Sequence, residues 1–193
     1  MTERKFDPRH IHKLNDPERL KRIPPVVLWN LAGPQEPGVL VDVGAGTGFF
    51  AVPFAEKMEG GTIYACDTVD AMIVSMQENL PGAFKDRIIP VKSGEARIPL
   101  PDALADLVYM INLHHELEHP QALLTEARRL LRPGGRMLIV DWKPEQTPEG
   151  PPLSIRVPPE TVGEQMRTAG LADIEQHDRL PWHYIVIGHM PAS

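Results

Sequence analysis

A second cysteine is missing from these 193 residues. With Cys66 alone no disulfide can close within the chain, and a reducing cytoplasm is the expected setting. Basic excess is missing too. Lys and Arg number 20 against 26 Asp and Glu, a net charge of −6, which argues against nucleic acid as a partner because phosphate neutralisation needs a basic face. No apolar run approaches the roughly 20 residues that cross a bilayer, so no membrane partner is expected. The opening Met1-Thr2-Glu3-Arg4-Lys5-Phe6-Asp7 lacks the apolar core of a signal peptide. Neither an internal repeat nor a low-complexity tail is present. What is there is ordinary globular balance, 42% hydrophobic and 24% charged, in a length that one domain can use to bury a full core. Cys66 reads as a small buried strand residue rather than a reactive thiol.

The most telling stretch is 39–50, Val-Leu-Val-Asp-Val-Gly-Ala-Gly-Thr-Gly-Phe-Phe. An apolar run that reads as a buried strand breaks into three glycines at alternate positions before an apolar helical segment. Glycine serves where the chain turns with positive φ, or where backbone must approach a ligand with no Cβ between. A dinucleotide loop wants Gly-x-Gly-x-x-Gly, which points a helix N-terminus at a pyrophosphate. Here Gly44, Gly46 and Gly48 follow Gly-x-Gly-x-Gly, and Phe49 stands where the third glycine would fall. That disfavours an NAD-linked oxidoreductase.

The elements that follow come at expected distances. Thr62-Ile63-Tyr64-Ala65-Cys66 ends in Asp67, where an acid at the end of a second strand takes ribose hydroxyls in nucleotide folds. A carboxylate suits because it accepts from both hydroxyls at once. Strand signals fall near 39–43, 62–66, 87–92, 106–111 and 136–141, and helical ones near 48–58, 69–79 and 119–131. Segment 93–105 is short and broken by Pro99 and Pro101, so the helix expected there shrinks to a turn. Alternation of strand and helix predicts an α/β fold with a parallel sheet covered on both faces. After a stiff loop over 143–152, Pro158-Pro159-Glu160 opens a helix and Gly170 stops it. Runs 172–179 and 182–189, joined by Leu180-Pro181, read as an antiparallel hairpin.

The ordered set, from Asp42 and the glycines through Asp67, Ser93-Gly94-Glu95-Ala96 and the run Glu126-Ala127-Arg128-Arg129-Leu130-Leu131-Arg132-Pro133-Gly134-Gly135, resembles small class I S-adenosylmethionine-dependent methyltransferases of the type 11 kind over 37–142. The resemblance implies one Rossmann-like domain, 1–193, with a seven-stranded, mostly parallel sheet in the order 3-2-1-4-5-7-6. Residues 1–36 would be a helical lid segment, 37–142 the cofactor-binding core, and 143–193 a proline-rich loop, helix and closing hairpin. The bland reading of the N-terminal segment, a solvated helix covering the sheet edge, weighs equally. Asp16 looks like its helix cap, with Pro17 in the first turn.

The same resemblance implies S-adenosylmethionine as cofactor. Asp42 would act through backbone or water near its amino-acid end, Gly44, Gly46 and Gly48 would wrap that end, and Asp67 would take the ribose. Met72 would pack on the adenine or be core, Glu95 or the Ala96 amide would meet the adenine amine, and Asn112 would line the cofactor side of the fourth strand's end.

Ligands in open parallel sheets sit beyond the carboxyl ends of the strands, where the strand order reverses. That brings the loop at Gly44 beside Asn112-Leu113-His114-His115-Glu116. In methyl transfer from a sulfonium, aligning the reactants by in-line displacement can supply about 7–11 kcal/mol. A base matters only if the acceptor must lose a proton, and His114 or His115 suits that role; the alternative is that both only cap the strand and line the pocket. Asp141 and Trp142 should border an acceptor pocket, Asp141 pairing with a cationic amine or capping a loop, Trp142 packing. Trp182, His183 and Tyr184 read as core. His115-Glu116-Leu117-Glu118-His119 matches the zinc motif His-Glu-x-x-His, but Pro120 puts the helix start after it, so no metal is expected. The expected activity is methylation of a small, unidentified acceptor in the cytoplasm. A non-catalytic S-adenosylmethionine sensor or partner subunit is the rival, and the oligomeric state is unknown.

Overall fold

A computed structural model describes residues 13–34 and 38–192. Seven strands form one sheet: β1 (Val39–Val43), β2 (Thr62–Asp67), β3 (Ile88–Lys92), β4 (Ala105–Ile111), β5 (Leu131–Trp142), β6 (Ala172–His177) and β7 (His183–His189). Their order is β3-β2-β1-β4-β5-β7-β6. All neighbours run parallel except β7, which is antiparallel to β5 and β6. The order expected from the resemblance is the order found.

Because β1, β4 and β5 are buried on both faces, they read as near-continuous apolar runs, and alternate residues feed two separate cores. On one face Leu40, Leu107, Tyr109, Leu138 and Ile185 pack against α2 (Pro25–Ala32) and α3 (Ala51–Lys57). Phe54 anchors that side, edge-on to Trp29 at 5.9 Å and tilted on Tyr109 at 4.8 Å. On the other face Val41, Val108, Met110, Ile139 and Val186 meet α5 (Pro120–Leu130) and α6 (Pro159–Thr168). The remaining helices are α1 (Glu18–Arg22) and α4 (Asp70–Asn79). Asp16, expected as the cap of α1, stands one residue before the N-cap Pro17 and accepts the Glu18 N–H through Oδ1 at 3.0 Å.

Two departures from the sequence expectation have local causes. β5 begins at Leu131 rather than near 136, because Leu131 pairs with Ala105 before the chain bulges out through Pro133-Gly134-Gly135 and resumes at Leu107↔Arg136. Gly134 has φ 76°, and the bulge uses that freedom. α3 starts at Ala51, three residues later than expected, because the glycine turn continues through Phe50. Between β3 and β4 no helix forms, as expected from the prolines. Its backbone is satisfied instead from α5: Glu126 accepts the Ile98 N–H at 2.7 Å, and Arg129 donates to the carbonyls of Leu100 (2.9 Å) and Ile98 (3.0 Å). Cys66 is buried, and burial pushes its thiol up to about 12, as befits an inert strand residue.

Candidate cofactor and acceptor site

The strand order reverses between β1 and β4, and there the loops that follow them touch. Gly44, Gly46 and Gly48 have φ of 72°, 56° and 77°, conformations that only glycine adopts freely. A Cβ on Gly44 would also lie 2.8 Å from a Leu113 methyl and displace that side chain. The N–H groups of Gly44 and Ala45 bind the Cys66 carbonyl at 2.9 and 3.0 Å, tying the loop to the end of β2. Asp67 completes the tie. Its Oδ2 accepts the Gly46 N–H at 2.8 Å and its Oδ1 accepts the Val69 N–H at 2.9 Å. Burial raises its pKa, while those N–H groups and Lys92 oppose the rise. Each oxygen keeps a further lone pair.

Asp42 and Tyr109 are register partners on β1 and β4. Asp42 is buried, Oδ2 has no hydrogen-bond partner, and burial raises the carboxyl to about 8, with the nearby Tyr109 hydroxyl and Arg19 cation opposing. Asn112, the first residue after β4, has φ 58°. Its N–H is fixed by the Val140 carbonyl at 2.8 Å, and its buried Oδ1 has no partner. Met72 is buried at the start of α4 and belongs to neither apolar cluster. Ser93, bound through its N–H to the Asp67 carbonyl at 3.0 Å, brings the exposed Glu95 and Ala96 to the same rim.

The histidines lie in a 3-10 turn, 114–116, and both are buried. His114 donates Nε2–H to Gln165 Oε1 of α6 at 2.8 Å, leaving Nδ1 buried and unpartnered. Burial lowers its pKa, with the Gln165 bond opposing. His115 is held differently. Its Nδ1–H donates to Asp141 Oδ1 at 2.7 Å, and its backbone N–H donates to Asp141 Oδ2 at 2.9 Å. The Trp142 N–H adds a third bond to Oδ1 at 2.7 Å. Burial alone would discharge His115, but the Asp141 bond and charge more than offset it, so its pKa is raised; Asp141, buried with that partner, is lowered. His115 Nε2 stands 3.7 Å from Glu116 Oε1. Asp141, read as pairing with a cationic amine or capping a loop, spends both oxygens on N–H groups inside the fold. His115 and His119 do not share a helix, since α5 starts at Pro120. The geometry of His-Glu-x-x-His is therefore not formed.

Trp142 packs on His183 at 4.2 Å and runs nearly parallel to Trp182 at 6.4 Å. His183 is buried with neither ring nitrogen partnered, and burial drives its pKa down to about 3. Arg156 lies over Trp142 at 5.2 Å. It donates to the carbonyls of Lys143 (3.1 Å), Glu145 (2.8 Å) and Pro151 (2.9 Å), which shapes the proline-rich loop. Sequence reading missed Gln165 and Arg156, because neither carries a local spacing signal.

Residues 14–22 cross this end of the sheet. Leu14 faces Gly46, and Thr47 Oγ1 donates to Asn15 Oδ1 at 2.5 Å. Arg19 lies over the rings of Phe49 and Phe50 at 5.3 and 5.0 Å. Arg22 pairs with Glu149 at 2.6 Å and lies over Trp182 at 4.7 Å. Residues 1–12, the remainder of the expected lid helix, fall outside the described residues. A cavity of about 840 Å³ opens at the opposite, N-terminal ends of the strands, among Gly38, Thr62, Asp106, Arg132 and Arg136, away from this chemistry. Among the described residues no helix is long and apolar enough to cross a membrane.

Residues 41–139 match the family described as Methyltransferase domain. A crystal structure of a SAM-dependent methyltransferase from Aquifex aeolicus superposes with a TM-score of 0.89 at 32% identity, covering 96% of this chain and all of that one. Phosphoethanolamine N-methyltransferase 2 of Haemonchus contortus, solved with S-adenosyl-L-methionine, shares the fold at a TM-score of 0.74 and 14% identity, over 88% of this chain and 52% of that one. In sequence, the Ubiquinone/menaquinone biosynthesis C-methyltransferase of Paracoccus denitrificans is 29% identical over 129 residues, 66% of this chain. The chain spans about half the length of the curated relatives it matches, 51% in that case. The glycine loop, the acid at the end of β2 and the unpartnered oxygens of Asp42 and Asn112 suit a zwitterionic nucleoside cofactor. The chain belongs to the family of S-adenosylmethionine-dependent methyltransferase domains.

Proposed function

We propose that this chain methylates a small acceptor that must lose a proton to react, with His115 as the base. The 2.7 Å bond from His115 Nδ1–H to Asp141 carries this reading. It fixes the tautomer that leaves Nε2 with its lone pair, and the Asp141 charge supports the imidazolium once the proton arrives. His114 suits a base less well, since burial holds it neutral and its partner Gln165 carries no charge.

When bound, S-adenosylmethionine supplies an electrophilic methyl group on a sulfonium sulfur. Asp67 would hold the ribose hydroxyls, the glycine loop the amino-acid end, and Met72 with the 93–96 turn the adenine. Residues 14–22 act as a lid that excludes water, clasped by Arg22 to Glu149 and Trp182. The curated relatives are C-methyltransferases, which supports a carbon acceptor. Carbon becomes nucleophilic as an enolate or phenolate, which is why a base is needed. The reading therefore takes the acceptor as a phenol or an enolisable carbonyl compound.

Calorimetric titration with S-adenosylmethionine, S-adenosylhomocysteine and NAD tests the cofactor. The first two should bind and NAD should not. Transfer of labelled methyl to a panel of phenols, enolisable diketones, amines and thiols tests the reaction. Turnover of the first two classes, lost in His115→Ala, supports the reading. Tight cofactor binding with no turnover on any class would instead favour a non-catalytic sensor.

A further inference from the structure

The glycine loop has almost no backbone donors left for an anion. The N–H groups of Gly44 and Ala45 serve Cys66, that of Gly46 serves Asp67, and that of Gly48 serves the Ala45 carbonyl at 2.9 Å. A cofactor with an amino-acid end nevertheless brings a carboxylate to this loop, and a buried carboxylate needs positive charge beside it. Nearby arginines differ in what they have to offer. Arg22 is paired to Glu149 at 2.6 Å and Asp16 at 3.6 Å. Arg156 spends its guanidinium on the carbonyls of the 143–151 loop. Arg19 has no carboxylate within ion-pair distance among the described residues, and its hydrogen bond there is from Nη1 to the Leu14 carbonyl.

We propose that Arg19 is the residue that receives the carboxylate of S-adenosylmethionine's amino-acid end, so that this carboxylate helps hold residues 14–22 over the site. Its position supports the role. The guanidinium lies over Phe49 and Phe50, the two residues that leave the glycine loop. Leu14 and Asn15, which precede its helix, already meet Gly46 and Thr47. Asp42, with its unpartnered Oδ2, lies near Arg19 without being in ion-pair contact. A zwitterion answers both: its carboxylate meets the guanidinium and its ammonium meets Asp42. Burial lowers the Arg19 pKa only to about 10, so the cation persists at neutral pH.

The inference rests on S-adenosylmethionine as the cofactor, and truncating the ligand separates the two. Isothermal titration of the unaltered protein, Arg19→Gln and Arg19→Lys should be run with S-adenosylhomocysteine, with its decarboxylated analogue, and with 5′-methylthioadenosine, which lacks the whole amino-acid end. A charge-assisted hydrogen bond predicts that Arg19→Gln weakens S-adenosylhomocysteine about 10- to 100-fold. The two ligands without a carboxylate should change less than about twofold, and Arg19→Lys should recover part of the loss. Methylthioadenosine binding also reports that the variant is folded. Equal weakening of all three ligands, or none of any, would overturn the role of Arg19. Failure of the unaltered protein to bind any of them would overturn the cofactor reading itself, and this inference with it.

Discussion

His115 and Asp141 are joined twice, through Nδ1–H to Oδ1 at 2.7 Å and through the backbone N–H to Oδ2 at 2.9 Å. The pair of hydrogen bonds fixes both the ring's tautomer and the turn that carries it. A proton acceptor placed in that way should matter to turnover far more than to binding. On an acceptor that must be deprotonated, His115→Ala should lower kcat about 10²- to 10⁴-fold, with S-adenosylhomocysteine affinity held within about threefold by calorimetry. Equal losses in kcat and cofactor affinity would mean that His115 merely shapes the pocket.

The pH profile tests the same pair by sign. Asp141 raises the His115 pKa, so base-dependent turnover should increase with pH through a midpoint above the ordinary 6.5. Asp141→Asn removes that charge and should move the midpoint down, toward lower pH. The stability from this pairing is present below the ordinary His pKa and lost as pH rises through the raised one. Asp141 is fully enclosed, so the melting temperature of Asp141→Asn should be followed alongside; a buried pair broken on one side costs about 3–5 kcal/mol.

Asp67 ties two loops and is proposed to hold the ribose, and its removal tests both. Asp67→Ala leaves the N–H groups of Gly46 and Val69 without their acceptor, at about 1–3 kcal/mol each if water does not replace it. It also removes the carboxylate proposed for the ribose. Cofactor binding should vanish from calorimetry while thermal unfolding shows a folded but weakened protein. Unchanged affinity in a folded Asp67→Ala would remove the ribose from its role.

How much of this was legible in the sequence follows from the range of each contact. Asp42, the glycines and Asp67 could be read because one turn and one parallel crossover bring them together, and the glycines answer to positive φ and Asp67 to the N–H groups it accepts. The absent helix over 93–105 was legible in Pro99 and Pro101. The link from His115 to Asp141 was not, since they stand 26 positions apart. It arises from the β4 and β5 register, Ile111↔Val140, which sets the turn after β4 beside the end of β5. Gln165 reaches His114 from a helix 51 residues on, and Arg156 finds its carbonyls only once the proline-rich loop has folded round it. Arg19 sat in a stretch of mixed charge where nothing marked it out from Arg22.

His183 gives the fold an acid weakness. Its pKa falls from 6.5 to about 3 because burial disfavours the charged ring. Between those values the unfolded chain binds the proton and the native one does not. The contribution is therefore present above pH 6.5 and is lost as pH falls, at up to about 1.4 kcal/mol per unit. Denaturant titrations between pH 7 and 4 should show this slope, and His183→Leu should flatten it. An unaltered slope in a folded variant would mean that His183 is not buried neutral.

Asp42 works in the other direction. Its carboxyl is raised from 3.8 to about 8, again by burial first. Between those values the native state holds the proton and the unfolded one releases it, so stability falls as pH rises, by up to about 1.4 kcal/mol per unit. Asn has nearly the same shape and no charge to desolvate. Asp42→Asn should accordingly raise the melting temperature at pH 7.5 and leave it nearly unchanged at pH 4. The same change removes the carboxyl that would give up its proton beside the cofactor's ammonium, so S-adenosylhomocysteine should bind more weakly while 5′-methylthioadenosine, which has no ammonium, should not. A strained acid kept at the cost of stability is what a binding site produces. If Asp42→Asn proved less stable at pH 7.5, Asp42 would be a structural residue, and the cofactor's amino group would need another partner.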